Sequence, residues 1–224
     1  MNGRSIIAIL LFQFPMKKSY FLSILILLLI VGCSSVKHTN KKTFSKEELT
    51  LITSADTLTP MRVYKITNVK DSLLLRSKSR YIKPDTSNVV LQTFIKRLYK
   101  TVRDSMSMGV GIAAPQVGIL KNIIWVQRFD KDNFPFEVYL NPVIIHYSEK
   151  KQTRREGCLS IPNRTDTLYN RAFAIKIEYD DENGAHKTET TEGFTSIIFQ
   201  HEIDHLNGIL YLDHLKKEIV DAKN

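Results

Sequence analysis

The chain has 224 residues, of which 43% are hydrophobic and 25% are charged, so a disordered protein is excluded and a globular domain with a sizeable core is expected. The formal net charge is +9, but the basic residues are dispersed and no stripe of them alternates with aromatic residues, so we expect no nucleic-acid partner. Two cysteines, Cys33 and Cys158, are too few for a disulfide framework.

Residues 1–32 are predicted to form a signal segment. The basic pair Lys17-Lys18 precedes an apolar run at 21–31, which is too short to anchor the chain permanently across a bilayer. The following Gly32-Cys33 resembles the end of the lipobox of bacterial lipoproteins. That resemblance implies cleavage before Cys33, lipidation of Cys33, and a membrane-anchored lipoprotein that faces the periplasm or the cell exterior. An uncleaved apolar N-terminal helix and a cytoplasmic location are the alternatives.

Residues 33–59 are predicted to be a flexible tether, because they are rich in Ser, Thr and Lys and have no apolar periodicity. The catalytic domain is therefore expected at 60–224. An amphipathic helix is predicted at 87–104, where Lys96, Arg97 and Lys100 are expected to face outward. The apolar stripe of that helix consists of Leu91, Phe94, Ile95, Leu98 and Val102.

A glycine-rich segment at 109–118 follows the helix. It contains G-x-G-x-x-A, but a dinucleotide-binding fingerprint must follow a strand and open a helix, and Pro115 would lie inside that helix. We therefore interpret the segment as backbone that lies close to a ligand, with Gly111 binding substrate and the Gln116 amide free to donate a hydrogen bond. A tight connection without a ligand is the alternative.

Most of the remaining chain is predicted to form antiparallel strands, because its apolar runs are β-rich and are separated by turn residues such as Asn183-Gly184. A charged tail is expected at 213–224. The fold class is α+β, with mostly antiparallel sheets around one buried helix near the C-terminus. The predicted strands lie at 121–129, 136–145, 172–179, 186–191 and 209–212.

The buried helix carries His201-Glu202-Ile203-Asp204-His205, an H-E-x-x-H motif that Gly208 is expected to end. Both histidines share its apolar face one turn apart, where both imidazoles can reach one ion. Cys158 follows Gly157 in a predicted polar loop and is a candidate thiolate ligand. The alternative for these three side chains is ordinary buried packing.

Three segments together resemble the signature motifs of peptide deformylases. Residues 109–116 match G-x-G-x-A-A-x-Q, residues 156–160 match E-G-C-x-S, and residues 201–205 match H-E-x-D-H. The resemblance covers about residues 60–212 and implies a deformylase-like fold. One departure is Asn163, which stands where the family often has Gly.

The resemblance also implies a ligand set and a mechanism. Cys158, His201 and His205 would hold one divalent ion, Fe(II) in this family, whose bound water is the nucleophile. Glu202 would be the general acid and base, while the Gln116 side chain and the Leu159 backbone N–H would stabilise the oxyanion.

The implied reaction is removal of the formyl group from N-terminal formylmethionine of peptides or nascent chains, with release of formate. An exported enzyme would act on formylated peptides or related N-acyl amides, and Zn(II) could replace the oxidation-prone Fe(II). Asp204 is expected either to be solvated or to fix a metal ligand.

Two alternatives remain at this point. A zincin-type metallopeptidase would need a third ligand downstream of the helix, where His214 is the only histidine. A lipoprotein that binds metal or formyl-peptides without turnover would have no need of Glu202 or Gln116.

Overall fold

The computed structural model describes residues 43–104 and 108–223. The predicted signal segment and Cys33 lie outside the described residues. Within the described ranges, no helix is both long enough and apolar enough to cross a membrane.

Five α-helices, seven β-strands and one short 3₁₀ helix follow one another in the described part of the chain. They are α1 Lys46–Ile52, α2 Val69–Leu75, α3 Val89–Val102, β1 Gly111–Ala113, the 3₁₀ helix Ala114–Val117, β2 Ile123–Gln127, β3 Phe136–Tyr147, β4 Lys151–Cys158, β5 Ile161–Ala172, β6 Ala174–Asp180, β7 His186–Glu192, α4 Gly193–Leu206 and α5 Tyr211–Asp221.

The larger sheet has five strands in the order β1-β2-β3-β6-β7, and every neighbouring pair is antiparallel. β4 and β5 pair with each other in a separate antiparallel hairpin. The predicted α+β class with antiparallel sheets is therefore confirmed. The strands predicted at 121–129, 136–145, 172–179 and 186–191 are also present, with ends shifted by a few residues.

The β4–β5 hairpin corrects the prediction that Cys158 lies in a polar loop. Cys158 is the last residue of β4 and lies opposite Ile161, and the register of the hairpin shifts between Gly157 and Cys158. The strand is polar because most of its side chains are exposed, and it therefore lacks the apolar alternation that predicts a half-buried strand. Such a register irregularity re-aims the side chains that follow it.

Helix α4 packs against β1 and β2 of the larger sheet. Because the sheet fixes the rotation of this helix about its axis, it also fixes the direction of the histidines. The helix ends as predicted, since Gly208 adopts φ +72° and a Cβ there would lie 2.4 Å from the Arg76 carbonyl oxygen. The apolar residues of α4 that join the sheet's core are Ile198, Phe199, Ile203 and Leu206.

Helix α3 matches its prediction except at Arg97. The whole predicted apolar stripe is buried, but Arg97 is only 3% exposed instead of facing outward. Its Nη1 donates to the carbonyl oxygens of Leu51 and Ile52, both at 2.9 Å, and its Nε donates to that of Thr59 at 3.1 Å. Arg97 therefore binds carbonyl groups at the C-terminal end of α1.

The predicted flexible tether is wrong for residues 43–59. Ser45 and Glu48 form a capping box that starts α1, and Phe44 and Ile52 are 2% and 0% exposed in the same core as α3. The compact unit therefore includes residues 43–59 and does not begin at residue 60. Two buried apolar residues among many polar ones are too sparse to show as a periodic pattern.

The predicted last strand at 209–212 is also wrong, and most of the charged residues after it form a helix, because α5 occupies residues 211–221. Tyr211 is 1% exposed, and Leu212 and Leu215 pack in the same cluster at helical spacing. An apolar run of four residues is compatible with either a strand or a helix, and here the packing against β5 selects the helix.

Candidate metal centre and active site

The structure brings the three predicted ligands together. Cys158 comes from the end of β4, whereas His201 and His205 project from α4. Their ligating atoms all lie within 4.8 Å of one another, and the Cys158 Sγ is 3.2 Å from the His205 Nε2. Among the described residues, this is the only such group of three or more potential metal ligands.

The donor set fits a divalent ion. One thiolate and two imidazoles are typical of a catalytic site that keeps a fourth position open. Burial works against ionisation of Cys158, but its interactions with His205 and His201 hold the pKa of the thiol well below its ordinary value. The thiolate is the form that binds a metal. The Nδ1 of His201 is occupied by a hydrogen bond to Glu156, so its Nε2 is the nitrogen left for the ion.

Two residues hold His201 in place, and the sequence had assigned a role to neither. Glu156 Oε2 lies 2.9 Å from the His201 Nδ1, and Arg171 donates to both oxygens of Glu156 at 2.7 and 3.0 Å. Burial works to raise the pKa of Glu156, but the bonds from His201 and Arg171 outweigh it and lower that pKa to about 2. Glu156 is therefore an ionised acceptor that fixes the ring of a metal ligand.

Asp204 extends this network to the surface. Its side chain is 16% exposed and its Oδ2 accepts from Arg171 Nη1 at 2.7 Å, while His214 Nε2 lies 2.8 Å from the same oxygen. The solvated alternative for Asp204 is therefore wrong, and Asp204 acts on His201 only through Arg171 and Glu156. His214 pairs with Asp204 and does not belong to the metal-ligand group, which removes the ligand that a zincin would need.

Glu202 is buried beside the ligands. It is 4% exposed, and within the described protein its Oε2 has no hydrogen-bond partner. Burial raises the pKa of Glu202 to about 7, against the opposing effect of His201 and His205. A carboxyl group with a pKa near neutrality can both accept and return a proton.

The Glu202 carboxylate has room beside β1 because residue 111 is glycine. A Cβ at this position would lie 2.5 Å from Glu202 Oε1 and 2.8 Å from Ile198 Cγ2. No real Cβ makes such contacts, so the absence of a side chain on β1 leaves the space that the carboxylate fills. The predicted contact of Gly111 with a substrate stays a prediction.

The Gln116 amide is oriented by its neighbours. Its Oε1 accepts from the Ala113 N–H at 2.8 Å, which turns its Nε2 toward the ligands, 3.6 Å from Cys158 Sγ and 3.3 Å from Ser160 Oγ. The amide therefore presents a donor beside the metal ligands, and its role in stabilising an oxyanion stays a prediction. Leu159, between Cys158 and Ser160, lines the same cavity, and its backbone role stays a prediction.

One backbone segment connects the 3₁₀ helix that carries Gln116 with the turn of the β4–β5 hairpin. The Tyr64 N–H donates to the Gln116 carbonyl oxygen at 2.7 Å, and the Ile66 N–H donates to the Ser160 carbonyl oxygen at 3.0 Å. Residues 64–66 therefore hold the 3₁₀ helix and the end of the hairpin at a fixed separation.

A cavity of about 580 Å³ opens above the ligands. Its floor contains Glu202, Gln116 and the metal ligands Cys158 and His201. Apolar side chains and the exposed residues Arg155, Asn163 and Arg164 of the β4–β5 hairpin also line it. The arrangement offers a metal, a proton carrier and an amide donor to one extended ligand. The apolar part consists of Val110, Leu159, Ile161, Phe194, Ile197 and Ile198.

A family model described as Polypeptide deformylase matches residues 63–220. The chain belongs to the polypeptide deformylase family. The matched range contains the whole metal centre, with Gln116, Glu156 and Glu202, and the fold is deformylase-like. The matched range starts after the predicted signal segment and Cys33, so the export signal and the lipidation of Cys33 stay predictions.

Individual peptide deformylases are also similar to this chain in sequence. Peptide deformylase of Prochlorococcus marinus (strain NATL2A) is 37% identical over 162 residues, which cover 71% of this chain and 75% of that protein. Peptide deformylase 1 of Clostridium perfringens is 40% identical over 146 residues, which cover 64% of this chain and 92% of that protein.

Solved structures share the fold. The deformylase of Thermotoga maritima superposes with a TM-score of 0.60 at 28% identity and covers 69% of this chain and 97% of its own. The class I type b enzyme of Acinetobacter baumannii bound to Met-Ala-Ser has a TM-score of 0.59 at 32% identity and covers 69% of this chain and 98% of its own.

The family's frequent Gly at position 163 is explained by the backbone. Asn163 adopts φ +58°, in the left-handed region that Gly enters freely and that Asn tolerates better than other residues. The departure therefore keeps the bend of the loop and adds a polar side chain to the cavity rim.

Proposed function

We propose that this protein is a metal-dependent peptide deformylase, which hydrolyses the N-formyl group of formylmethionine at peptide N-termini and releases formate. The observation that carries the proposal is the convergence of Cys158, His201 and His205 within 4.8 Å, beside a buried Glu202, in a chain of this family. The Met-Ala-Ser complex of the Acinetobacter baumannii enzyme supports a peptide ligand.

The chain's own residues account for the proton transfers. When bound, a divalent ion supplies Lewis-acid chemistry that makes water more acidic and polarises the formyl carbonyl. Glu202 accepts a proton from the attacking water and delivers it to the amide nitrogen as the C–N bond breaks, so that water and the formyl amide give formate and a free amine. Its pKa of about 7 suits both transfers.

Other residues of the site stabilise the oxyanion, hold the His201 ring in place and bind the substrate. The Gln116 Nε2 and the Leu159 backbone N–H donate hydrogen bonds to the oxyanion, and such donors lower the barrier by about 3–4 kcal/mol each. Glu156 and Arg171 keep the His201 ring aligned. The apolar wall of the cavity excludes water and receives the methionine side chain.

Formate release from formyl-Met-Ala-Ser by the purified, metal-loaded protein tests this function. We expect turnover that Glu202→Ala abolishes, with the metal still bound. Cys158→Ala should lose metal and activity together, whereas His214→Ala should keep the metal. Turnover that survives Cys158→Ala but not His214→Ala would instead favour a zincin-type peptidase, and metal binding without any formate release would favour a binding protein.

For the metal we propose Fe(II), by family resemblance, with Zn(II) as the alternative in an oxidising compartment. Thiolate-bound Fe(II) is sensitive to oxidation, whereas Zn(II) has no redox chemistry. Metal analysis of protein purified without oxygen tests the choice, together with kcat after reloading with each ion. Full activity with Zn(II) and no iron in the native protein would reject iron.

For the location we propose export and attachment to the membrane through lipidated Cys33. The proposal is supported by the basic pair, the apolar run and the Gly32-Cys33 sequence. Incorporation of labelled palmitate and recovery in the membrane fraction are expected, and Cys33→Ala should lose both. A soluble cytoplasmic protein that incorporates no lipid would reject this proposal without affecting the deformylase activity.

A further inference from the structure

We infer that Arg155 and Arg164, on the rim of the catalytic cavity, make the site prefer formylmethionyl peptides that carry a carboxylate at their third residue. This inference rests on the proposed function and adds a class of preferred substrate to it. The carboxylate is either an Asp or Glu side chain or the free C-terminus of a tripeptide.

The exposed charged residues of the cavity lining are all basic. Its only acidic residues are Glu156 and Glu202, which are 5% and 4% exposed and serve the reaction. Arg155 and Arg164 are exposed at the rim. A substrate that leaves the buried part of the cavity therefore meets positive charge and no exposed carboxylate of the cavity lining.

Arg155 has no carboxylate partner within the described chain. Its Nε donates at 2.7 Å to the hydroxyl of Thr165, which is a neutral acceptor across the hairpin. This bond holds the side chain along the rim and leaves its charge uncompensated. A guanidinium held in this way can bind a carboxylate through two parallel hydrogen bonds.

Arg164 contributes less, because its charge is already paired. Its Nε and Nη2 donate to the two oxygens of Asp166 at 2.7 and 3.3 Å, and Asp166 also accepts from the Tyr211 hydroxyl. We therefore assign most of the preference to Arg155.

The position of the preferred carboxylate follows from strand geometry. Arg155 stands three residues before the ligand Cys158 on β4, which corresponds to about 10 Å along an extended strand. An extended peptide with its formyl carbon at the ligands reaches about the same distance at its third residue. The methionine side chain, one residue from the formyl group, lies within the apolar part of the cavity.

An exposed ion pair of this kind gives a modest effect. We expect a preference of about two- to fivefold, which decreases with added salt. Because Arg155 is remote from the reacting carbon, it binds substrate and transition state alike, so the preference should fall on KM and leave kcat unchanged.

Two sets of peptides test the inference and separate the sources of the carboxylate. The first is formyl-Met-Ala-Xaa-amide with Asp, Asn or Lys as Xaa, and the second is formyl-Met-Ala-Ser as free acid and as amide. Formate release by the metal-loaded protein should give the order Asp, Asn, Lys in kcat/KM, and the free acid should exceed its amide. A preference for Asp alone, or for the free acid alone, identifies which source the site uses.

Variants assign the preference to its residues. Arg155→Gln should remove most of it, Arg155→Lys, which keeps the charge but not the two parallel hydrogen bonds, should keep only part of it, and Arg164→Gln should reduce it less. Lys176→Gln removes the same charge from an exposed position outside the cavity and should change nothing. This control distinguishes a local contact from the overall positive charge of the protein.

The inference fails if wild type cleaves all five peptides with equal kcat/KM, or if Arg155→Gln keeps the full preference. Neither result touches the deformylase function, because formate is still released. If no peptide of either set releases formate, the proposed function and this inference both fail.

Discussion

Glu156 and His201 form a buried carboxylate–imidazole pair, with Oε2 2.9 Å from Nδ1. Since that nitrogen is engaged, the ring can offer only its other nitrogen to a metal. We expect Glu156→Gln to weaken metal binding about 10- to 100-fold, because the neutral amide is a poorer acceptor for both His201 and Arg171. Competition with a chromophoric chelator measures this affinity.

Glu178→Gln is a matched control for this prediction, because Glu178 lies on β6 and takes no part in the site. It should leave metal affinity unchanged. Equal metal affinities of wild type and Glu156→Gln would show that Glu156 does not orient the ligand.

Glu202→Gln should separate catalysis from folding. Burial raises the pKa of this carboxyl from 4.5 to about 7, so the ionised form is unfavourable in the folded, metal-free protein. The cost is absent below about pH 4.5, grows as pH rises and is complete above about pH 7. At pH 8 the variant should gain about 3 kcal/mol in the free energy of unfolding, while kcat falls at least about 100-fold.

Urea denaturation of the metal-free proteins at pH 4 and pH 8 measures the gain. It should disappear at pH 4, where the carboxyl is protonated in the folded and the unfolded state. A Glu202→Gln protein that is less stable than wild type at pH 8 would contradict the raised pKa.

Gly111→Ala should damage the site through contact with Glu202. The added Cβ would lie 2.5 Å from Oε1 of Glu202, so the carboxylate must move. We expect kcat to fall at least about tenfold and the free energy of unfolding to fall by about 1–3 kcal/mol. Kinetics and thermal unfolding measure the two effects.

A double-mutant cycle tests the cause. If the contact with the carboxylate is responsible, Gly111→Ala should cost less stability in a Glu202→Ala background than in wild type. Equal costs in both backgrounds would assign the damage to Ile198, whose Cγ2 is the next atom in contact.

Arg97→Met should loosen α1 from the domain. It removes the donors for the carbonyls of Leu51, Ile52 and Thr59, and unsatisfied buried carbonyls are costly, so we expect a loss of about 2–4 kcal/mol in the free energy of unfolding. Lys96 precedes Arg97 in sequence and is exposed, so Lys96→Ala should change the free energy of unfolding by less than about 0.5 kcal/mol. Denaturation curves test both, and proteolysis within α1 should accelerate only in Arg97→Met.

The site was more predictable than its surroundings because its motifs are local. His201 and His205 are one helical turn apart, and Cys158 and Gln116 each lie in a short segment that matches a deformylase signature motif. Arg171 is different, since it is 15 residues from Glu156 and 33 from Asp204 in sequence. Its role exists only because β5 places it between them, and no pattern along the chain indicates that.

The errors in the predicted fold have the same origin, since they also depend on contacts between elements that no local sequence pattern indicates. Arg97 occupies a position that would be exposed on an isolated α3, and it is covered by α1 and the segment that follows it up to Thr59. The run at 209–212 is apolar enough for a strand, but packing against the hairpin places its last two residues, Tyr211 and Leu212, in the first turn of α5. Helical periodicity predicts one face of one element, but it does not predict which element lies on the opposite face.

The burial of Phe44 limits how far the enzyme could work from a membrane. In the proposed lipidated form, the eleven Cα–Cα steps from Cys33 to Phe44 are the only chain between the acyl groups and the folded domain. Even fully stretched they span about 40 Å. A lipidated enzyme would then act only on substrates that lie within a thin layer above the bilayer.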